Sequence, residues 1–190
     1  MEWNENKLEA FARGDIQVFR EIMEATQDAV YNTALGIVKS EEDAEDIVQE
    51  VFVKLFENSS GFRGEANPST WLYRVAVNTS LDHYRKKKGK RRLSFLKDLI
   101  VGRVQKDVSF DHPGVRLENK EHARELFRAV DKLPLNQQVV FVLYHLEGKS
   151  YSEISSIMQK SPTAVESLMA RAKGNLQKIL RDYFDKNLSS

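Results

Sequence analysis

Apolar residues recur every three or four positions through most of the chain, and the gaps between those stretches divide it into helices. From Asp15 to Val38 the spacing is kept by Ile16, Phe19, Ile22, Met23, Val30, Tyr31, Leu35 and Val38, and Asp15, after Gly14, is placed to cap the first turn. Ser40 opens a second helix, with Asp43 three residues on as the acid of a shortened capping box. There Ala44, Ile47, Val48, Val51, Phe52, Leu55 and Phe56 form one face, and Glu42, Glu45, Asp46, Gln49 and Glu50 occupy the remaining arc. Asn58 to Pro68 breaks the pattern. Pro68 or Ser69 then starts a third helix carrying Trp71, Leu72, Val75, Ala76, Thr79 and Leu81, which runs into the basic segment Arg85 to Arg92.

Between Gly89 and Arg116 the periodicity lapses, as expected of a linker. It resumes near Leu117 and runs through Leu126, Val130 and Leu133 to Pro134, which ends that helix. Gln137 to Leu146 is the next, closed by Gly148. Ser150 to Met158 is short, and Ser161-Pro162 opens a long last helix, proline taking the first helical position. No strand pattern survives. The expected fold is all-α: two small helical domains, 1–88 and 117–186, joined by a flexible linker at 89–116.

Composition sharpens this picture in two places. The 190 residues carry a formal net charge of only +1, yet Glu41 to Glu50 is strongly acidic and Arg85 to Arg92 almost wholly basic. Two separated charge blocks suggest two partner surfaces rather than one polyanion-binding face. There is no cysteine, which removes thiolate metal sites and cysteine nucleophiles and fits a cytoplasmic protein. No apolar run approaches the roughly 20 residues that span a bilayer, and Met1 to Glu9 lacks a signal peptide's apolar centre.

The last two helices have the arrangement of a helix-turn-helix, in which the second helix enters the major groove and meets base edges with its first turns. Tyr151, Ile154, Ile157 and Met158 face inward from one helix; Val165, Leu168, Met169 and Ala172 face inward from the other. Ser161, Thr163, Glu166, Ser167 and Ala170 are left as outward candidates for duplex contact, with Arg171 and Lys173 suited to phosphate. A plain helical hairpin has the same pattern, so this segment alone does not decide for DNA.

Two blocks further forward are more specific. Ser40-Glu41-Glu42-Asp43-Ala44-Glu45-Asp46-Ile47-Val48-Gln49-Glu50-Val51-Phe52 closely resembles region 2.2 of RNA polymerase sigma factors. Pro68-Ser69-Thr70-Trp71-Leu72-Tyr73-Arg74-Val75-Ala76-Val77-Asn78, followed by Asp82 and Arg85, resembles regions 2.3 and 2.4. With a region 4-like pair after a linker, and no region 1.1 or region 3, the whole resembles the extracytoplasmic-function (ECF) group of the sigma-70 family, over about residues 15–184.

The resemblance implies a transcription-initiation subunit with no catalytic site and no cofactor, whose partners are core RNA polymerase, promoter DNA and an anti-sigma protein, often membrane-bound. It implies that Asp46, Gln49 and Glu50 dock on the polymerase. It also implies that a base of the opened −10 element is captured by the loop 58–68, with Phe62 and Arg63, while Asn78, Asp82, Arg85, Lys86, Lys87 and Lys88 face the DNA. Asn78, Asp82 and Arg85, spaced four and three apart, share a helix face; Trp71, flanked by Leu72 and Val75, reads as core. Glu166 and Leu168 stand where many members of the family carry basic residues, which leaves the −35 base preference open.

Two other classes compete. A helix-turn-helix regulator outside the polymerase explains the C-terminal half but gives the acidic helix and the Trp71 helix no purpose. A metal-dependent nuclease built on Glu42, Asp43, Glu45 and Asp46 fails on geometry, because those carboxylates spread around the helix, and the histidines at 83, 112, 122 and 145 have no ligand spacing.

Overall fold

The computed structural model describes the backbone at 5–59, 68–101 and 120–188, and the statements below concern those residues. All the regular structure is helical: α1 (Glu5–Ala12), α2 (Ile16–Val38), α3 (Glu41–Glu57), α4 (Pro68–Val101), α5 (Lys120–Val130), α6 (Leu135–His145), α7 (Tyr151–Met158) and α8 (Pro162–Leu188).

The helix boundaries follow from local chemistry. The Asp15 carboxylate accepts from the backbone N–H of Gln17 and Val18 at 2.9 and 3.1 Å, which starts α2 as its sequence position suggests. Ser40 caps α3 by accepting from Asp43 N–H at 3.3 Å, but the Asp43 side chain pairs with Lys87 of α4. Gly148, at φ +61°, lets Lys149 N–H reach back to the Leu143 carbonyl at 2.9 Å and close α6.

Three differences from the sequence expectation have physical causes. Helix α1 was not anticipated, because Glu5–Ala12 spans barely two turns and carries little apolar periodicity; Phe11, 3% exposed, ties it to the core. Helix α4 does not stop near residue 88 but runs on to Val101, into the segment expected to be linker. Nothing between Ser69 and Val101 is a proline, Lys, Arg and Leu are good helix formers, and one interior glycine, Gly89, costs only about 1 kcal/mol. Phe56, assigned to the inner face of α3, is 45% exposed.

Helices α2, α3 and α4 form a three-helix bundle around Ile22, Val30, Leu35, Ile47, Val51, Phe52, Leu55 and Leu72, with Trp71 half-buried against them, as packing rather than stacking requires. Helices α5, α6 and α8 share a second core of Ala129, Val130, Leu133, Phe141, Ala172 and Leu176. The two domains also touch. Ile37, Tyr73, Val77 and Leu81 of the first join Val139, Val140, Leu143, Ile154 and Ile157 of the second in one apolar cluster.

Polar bonds cross the same seam. Gln138 Nε2 donates to the Gly36 carbonyl at 2.6 Å in a buried bond, and Lys39 Nζ reaches both the Asp131 carboxylate (3.1 Å) and the Asp131 carbonyl (2.8 Å), capping the end of α5. Tyr73 OH donates to Glu147 at 2.8 Å, with the Lys149 ammonium 4.1 Å from the centre of the Tyr73 ring.

Burial pushes the Glu147 carboxyl above the usual carboxylate range, against the smaller opposing pull of the Tyr73 hydroxyl and Lys149. A raised native value means that the stability contribution is fully present below the ordinary value of 4.5 and is lost as pH rises through the raised one. Glu147→Gln keeps an acceptor for Tyr73 and removes the charge. Thermal unfolding from pH 4.5 to 8 should show variant and wild type alike at the acid end. The variant should melt about 2–4 °C higher at neutral pH, as about 1 kcal/mol does in a chain of this size.

Candidate functional site

Two surfaces of the first domain and one of the second carry the residues singled out above. On α3, burial of Ala44, Ile47 and Val51 turns Asp46 and Gln49 into solvent, three residues apart on one face. Glu50 is placed differently. Its carboxylate bonds Lys54 Nζ at 2.7 Å and His83 Nε2 at 2.7 Å, and Lys54 also donates to Thr79 Oγ1 at 3.1 Å. The Lys54 ammonium, then His83, hold the Glu50 carboxyl below the usual carboxylate range. Glu50 therefore knits α3 to α4, and only part of it faces outward.

Sequence reasoning missed what continues the face. Val53 is 55% exposed and Phe56 45%, and with Phe19 and Phe52 they line a groove of about 510 Å³ between α2 and α3 that Gln49 and Glu57 border. The Phe56 ring meets Phe19 edge-on at 5.1 Å. The signal was present: on α3, steps of three and four from Asp46 lead through Gln49 to Val53 and then Phe56, an apolar end to a polar stripe. Periodicity alone assigned Phe56 to the core because it lies near the boundary between the two arcs.

On α4, Asn78, Asp82 and Arg85 are exposed on one face, as their spacing requires, and Arg85 Nη1 bonds Asp82 Oδ1 at 3.2 Å. Lys86, Lys87 and Lys88 are exposed beyond them, with Lys87 tethered to Asp43. Arg74 lies one turn before Asn78 on that same face, and it bonds the Ser156 carbonyl of α7 at 2.8 Å. Phe62 and Arg63, with most of the 58–68 loop, lie outside the described residues.

In the second domain, Ser150 and Glu153 form a full capping box at the start of α7, and Gln159, at φ +51°, ends it. Ser161 Oγ accepts from Ala164 N–H at 3.2 Å and opens α8, with Pro162 at its first position. Val165, Met169 and Ala172 are at most 1% exposed and seat α8 on its own domain. Ser161, Thr163, Glu166, Ala170, Arg171 and Lys173 are exposed, whereas Ser167 and Leu168 are half-buried. A helix held by its apolar back, with small and polar groups leading and cations one turn later, suits a major groove flanked by phosphates. Among the described residues no helix is long and apolar enough to cross a membrane.

Comparison with known proteins agrees with this division. Residues 22–90 match Sigma-70 region 2, and residues 123–176 match Sigma-70 region 4. The chain is 32% identical over 172 residues to the ECF RNA polymerase sigma-E factor of Escherichia coli K12, covering 87% of this chain and 88% of that one. It is 28% identical over 183 residues to the ECF RNA polymerase sigma factor SigW of Bacillus subtilis, covering 93% and 96%. Among solved structures, the fold is similar to CnrH in complex with the cytosolic domain of CnrY (TM-score 0.68, 22% identity, 93% of this chain and 96% of that). It is also similar to the sigma factor RpoE in complex with the anti-sigma factor NepR from Bartonella quintana (TM-score 0.69, 21% identity, 87% and 98%).

Proposed function

The chain belongs to the ECF group of the sigma-70 family, a sigma factor directing promoter-specific transcription, and from that premise we propose how its surfaces divide the work. The stripe Asp46, Gln49, Val53 and Phe56 docks on core RNA polymerase, the polar end choosing the partner and the apolar end supplying burial. Asn78, Asp82 and Arg85 face the −10 element as it opens, Lys86 to Lys88 hold its phosphates, and Phe62 and Arg63 belong to the base-capturing loop. Thr163, Glu166, Ser167 and Ala170 meet the −35 duplex, with Ser161 at the mouth of the groove and Arg171 and Lys173 on the backbone. Polymerase supplies the chemistry; this subunit supplies no catalytic residue and works in the cytoplasm. An anti-sigma protein is a further partner, as in the RpoE–NepR complex.

The observation that carries this reading is the separation of functions by face: on α3, α4 and α8 the named polar groups other than the half-buried Ser167 are exposed, while Ile47, Leu81 and Val165 between them are core. The regulator alternative leaves the α3 stripe without a use. In vitro transcription with bacterial core polymerase over a promoter library tests the proposal, with discrete run-off products expected only when the protein is added. No product from active core overturns it.

Asn78→Ala separates docking from melting. The exposed amide touches no core, so holoenzyme assembly and thermal stability should match wild type. Permanganate footprinting should show −10 opening slowed about five- to tenfold, the equivalent of one lost polar contact of about 1–1.4 kcal/mol. Equal opening rates remove Asn78 from the interface.

A further inference from the structure

We infer that Glu166 is the residue by which α8 selects a base, and that the base is a cytosine in the −35 element. This deepens the proposed reading of α8 and rests on it. The premise is geometric. Val165, Met169, Ala172 and Leu176 are at most 6% exposed and fix α8 on its domain. Thr163, Glu166, Ala170 and Lys173 are left on one exposed stripe, at steps of three, four and three. At about 1.5 Å per residue that stripe spans about 15 Å, or about four base pairs at about 3.4 Å each.

Nothing in the folded chain accounts for a carboxylate at that point. Glu153, the acid of α7, accepts from the Ser150 N–H at 2.9 Å and the Ser150 hydroxyl at 2.7 Å, which starts that helix. Glu166 has no hydrogen-bond or ion-pair partner among the described residues. It is the fifth residue of α8, past the first turn, where the pull of the helix N-terminus on an anion has largely faded.

Against DNA the same group is unfavourable unless a donor meets it. It brings a like charge between two rows of phosphates, and a carboxylate stripped of water without a partner costs more than a neutral hydrogen bond returns. Only one base edge relieves that cost. In the major groove guanine shows the acceptors N7 and O6, thymine shows the acceptor O4 and a methyl, and adenine sets its N6 donor beside the N7 acceptor. Cytosine shows the N4 amino donor with no acceptor on the same base. An ionised carboxylate, which only accepts, is therefore met by cytosine and opposed by the rest. Ala170, a single methyl one turn on, leaves Glu166 a clear path to the groove floor. Selection comes from the penalty on the wrong base, while Arg171 and Lys173, both exposed, supply affinity through phosphate.

The test is the holoenzyme on promoters that share an active −10 element and carry a randomised −35 segment, with the run-off products sequenced. Wild type should favour cytosine at one −35 position by about 5- to 20-fold, the lower part of the range for one mismatched pair. Glu166→Gln presents a carboxamide and should move that position to adenine, whose N6 and N7 it pairs; Glu166→Arg should move it to guanine. Preferences at the other −35 positions and the melting temperature should stay as in wild type, because the exposed side chain bonds nothing in the fold. No cytosine preference in wild type, or a cytosine preference that survives in both variants, overturns the assignment. Run-off that depends on the −10 element but not on the −35 segment overturns the assignment and the −35 role of α8, and leaves the sigma-factor reading in place. No run-off from active core sinks that reading, and the role of Glu166 with it.

Discussion

Replacing Asp46 and Gln49 together by arginine should cut run-off transcription at limiting protein by about 10- to 100-fold while leaving the melting temperature unchanged. Both side chains are exposed on α3, and neither makes a hydrogen bond or ion pair that holds the domain together. Their loss cannot act through the core. Truncating or reversing a charge desolvated in an interface costs about 2–5 kcal/mol, and a rim charge costs less, so a loss of about 1.4–2.8 kcal/mol, or 10- to 100-fold, is the middle expectation. Size-exclusion binding to core polymerase measures it directly. Glu50→Gln should behave in the opposite way. It weakens the bonds to Lys54 and His83, so its first effect should be a small fall in thermal stability. If all three positions lower binding equally with no stability change, Glu50 belongs with the docking face after all. If all three act only through stability, the docking assignment is wrong.

One residue from Asp46 the expected outcome reverses. Ile47 is 0% exposed at the centre of the bundle, against α2 and α4. Ile47→Ala removes three carbons from a packed site and should cost about 2–5 kcal/mol, since the cavity only partly collapses. For about 3 kcal/mol in a chain of this length the melting temperature falls by about 6–12 °C. Below the transition the surviving folded molecules should still dock, because no exposed atom of the stripe has changed. Urea titration separates the two effects: a shifted midpoint with near-normal binding per folded molecule is expected. Lost binding with an unchanged midpoint would mean that Ile47 is not core.

The caps of α2, α3 and α8 were legible because each depends on residues within three positions of one another, as Asp15, Ser40 and Ser161 show. Trp71 was legible as packed against the core for a similar reason, its flanks being Leu72 and Val75. Phe56 and the length of α4 were not. The first depends on which neighbour covers a boundary position, and the second on whether a glycine of modest cost is outvoted by the helix formers around it. Of the candidate residues, Asn78, Asp82 and Arg85 on α4 and Thr163, Glu166 and Ala170 on α8 are exposed, as their spacing suggested. Glu50 is not, because a carboxylate on a polar arc bonds inward when a lysine one turn away and a histidine 33 residues on are within reach.

Sequence by itself determined the all-helical class, the two domains, the separation of acidic and basic blocks and the family, since all of these are written in local periodicity and in ordered motifs. Tertiary structure alone decided that the domains meet, that Gly36 leaves no room for a side chain beside Val142, and that Arg74 is occupied at the seam. Those contacts join residues about 80 to 100 positions apart, Gly36 with Gln138 and Arg74 with Ser156. A pattern read at intervals of three and four carries no information about a partner that far along the chain, because such partners are selected by the shape and charge of whole surfaces.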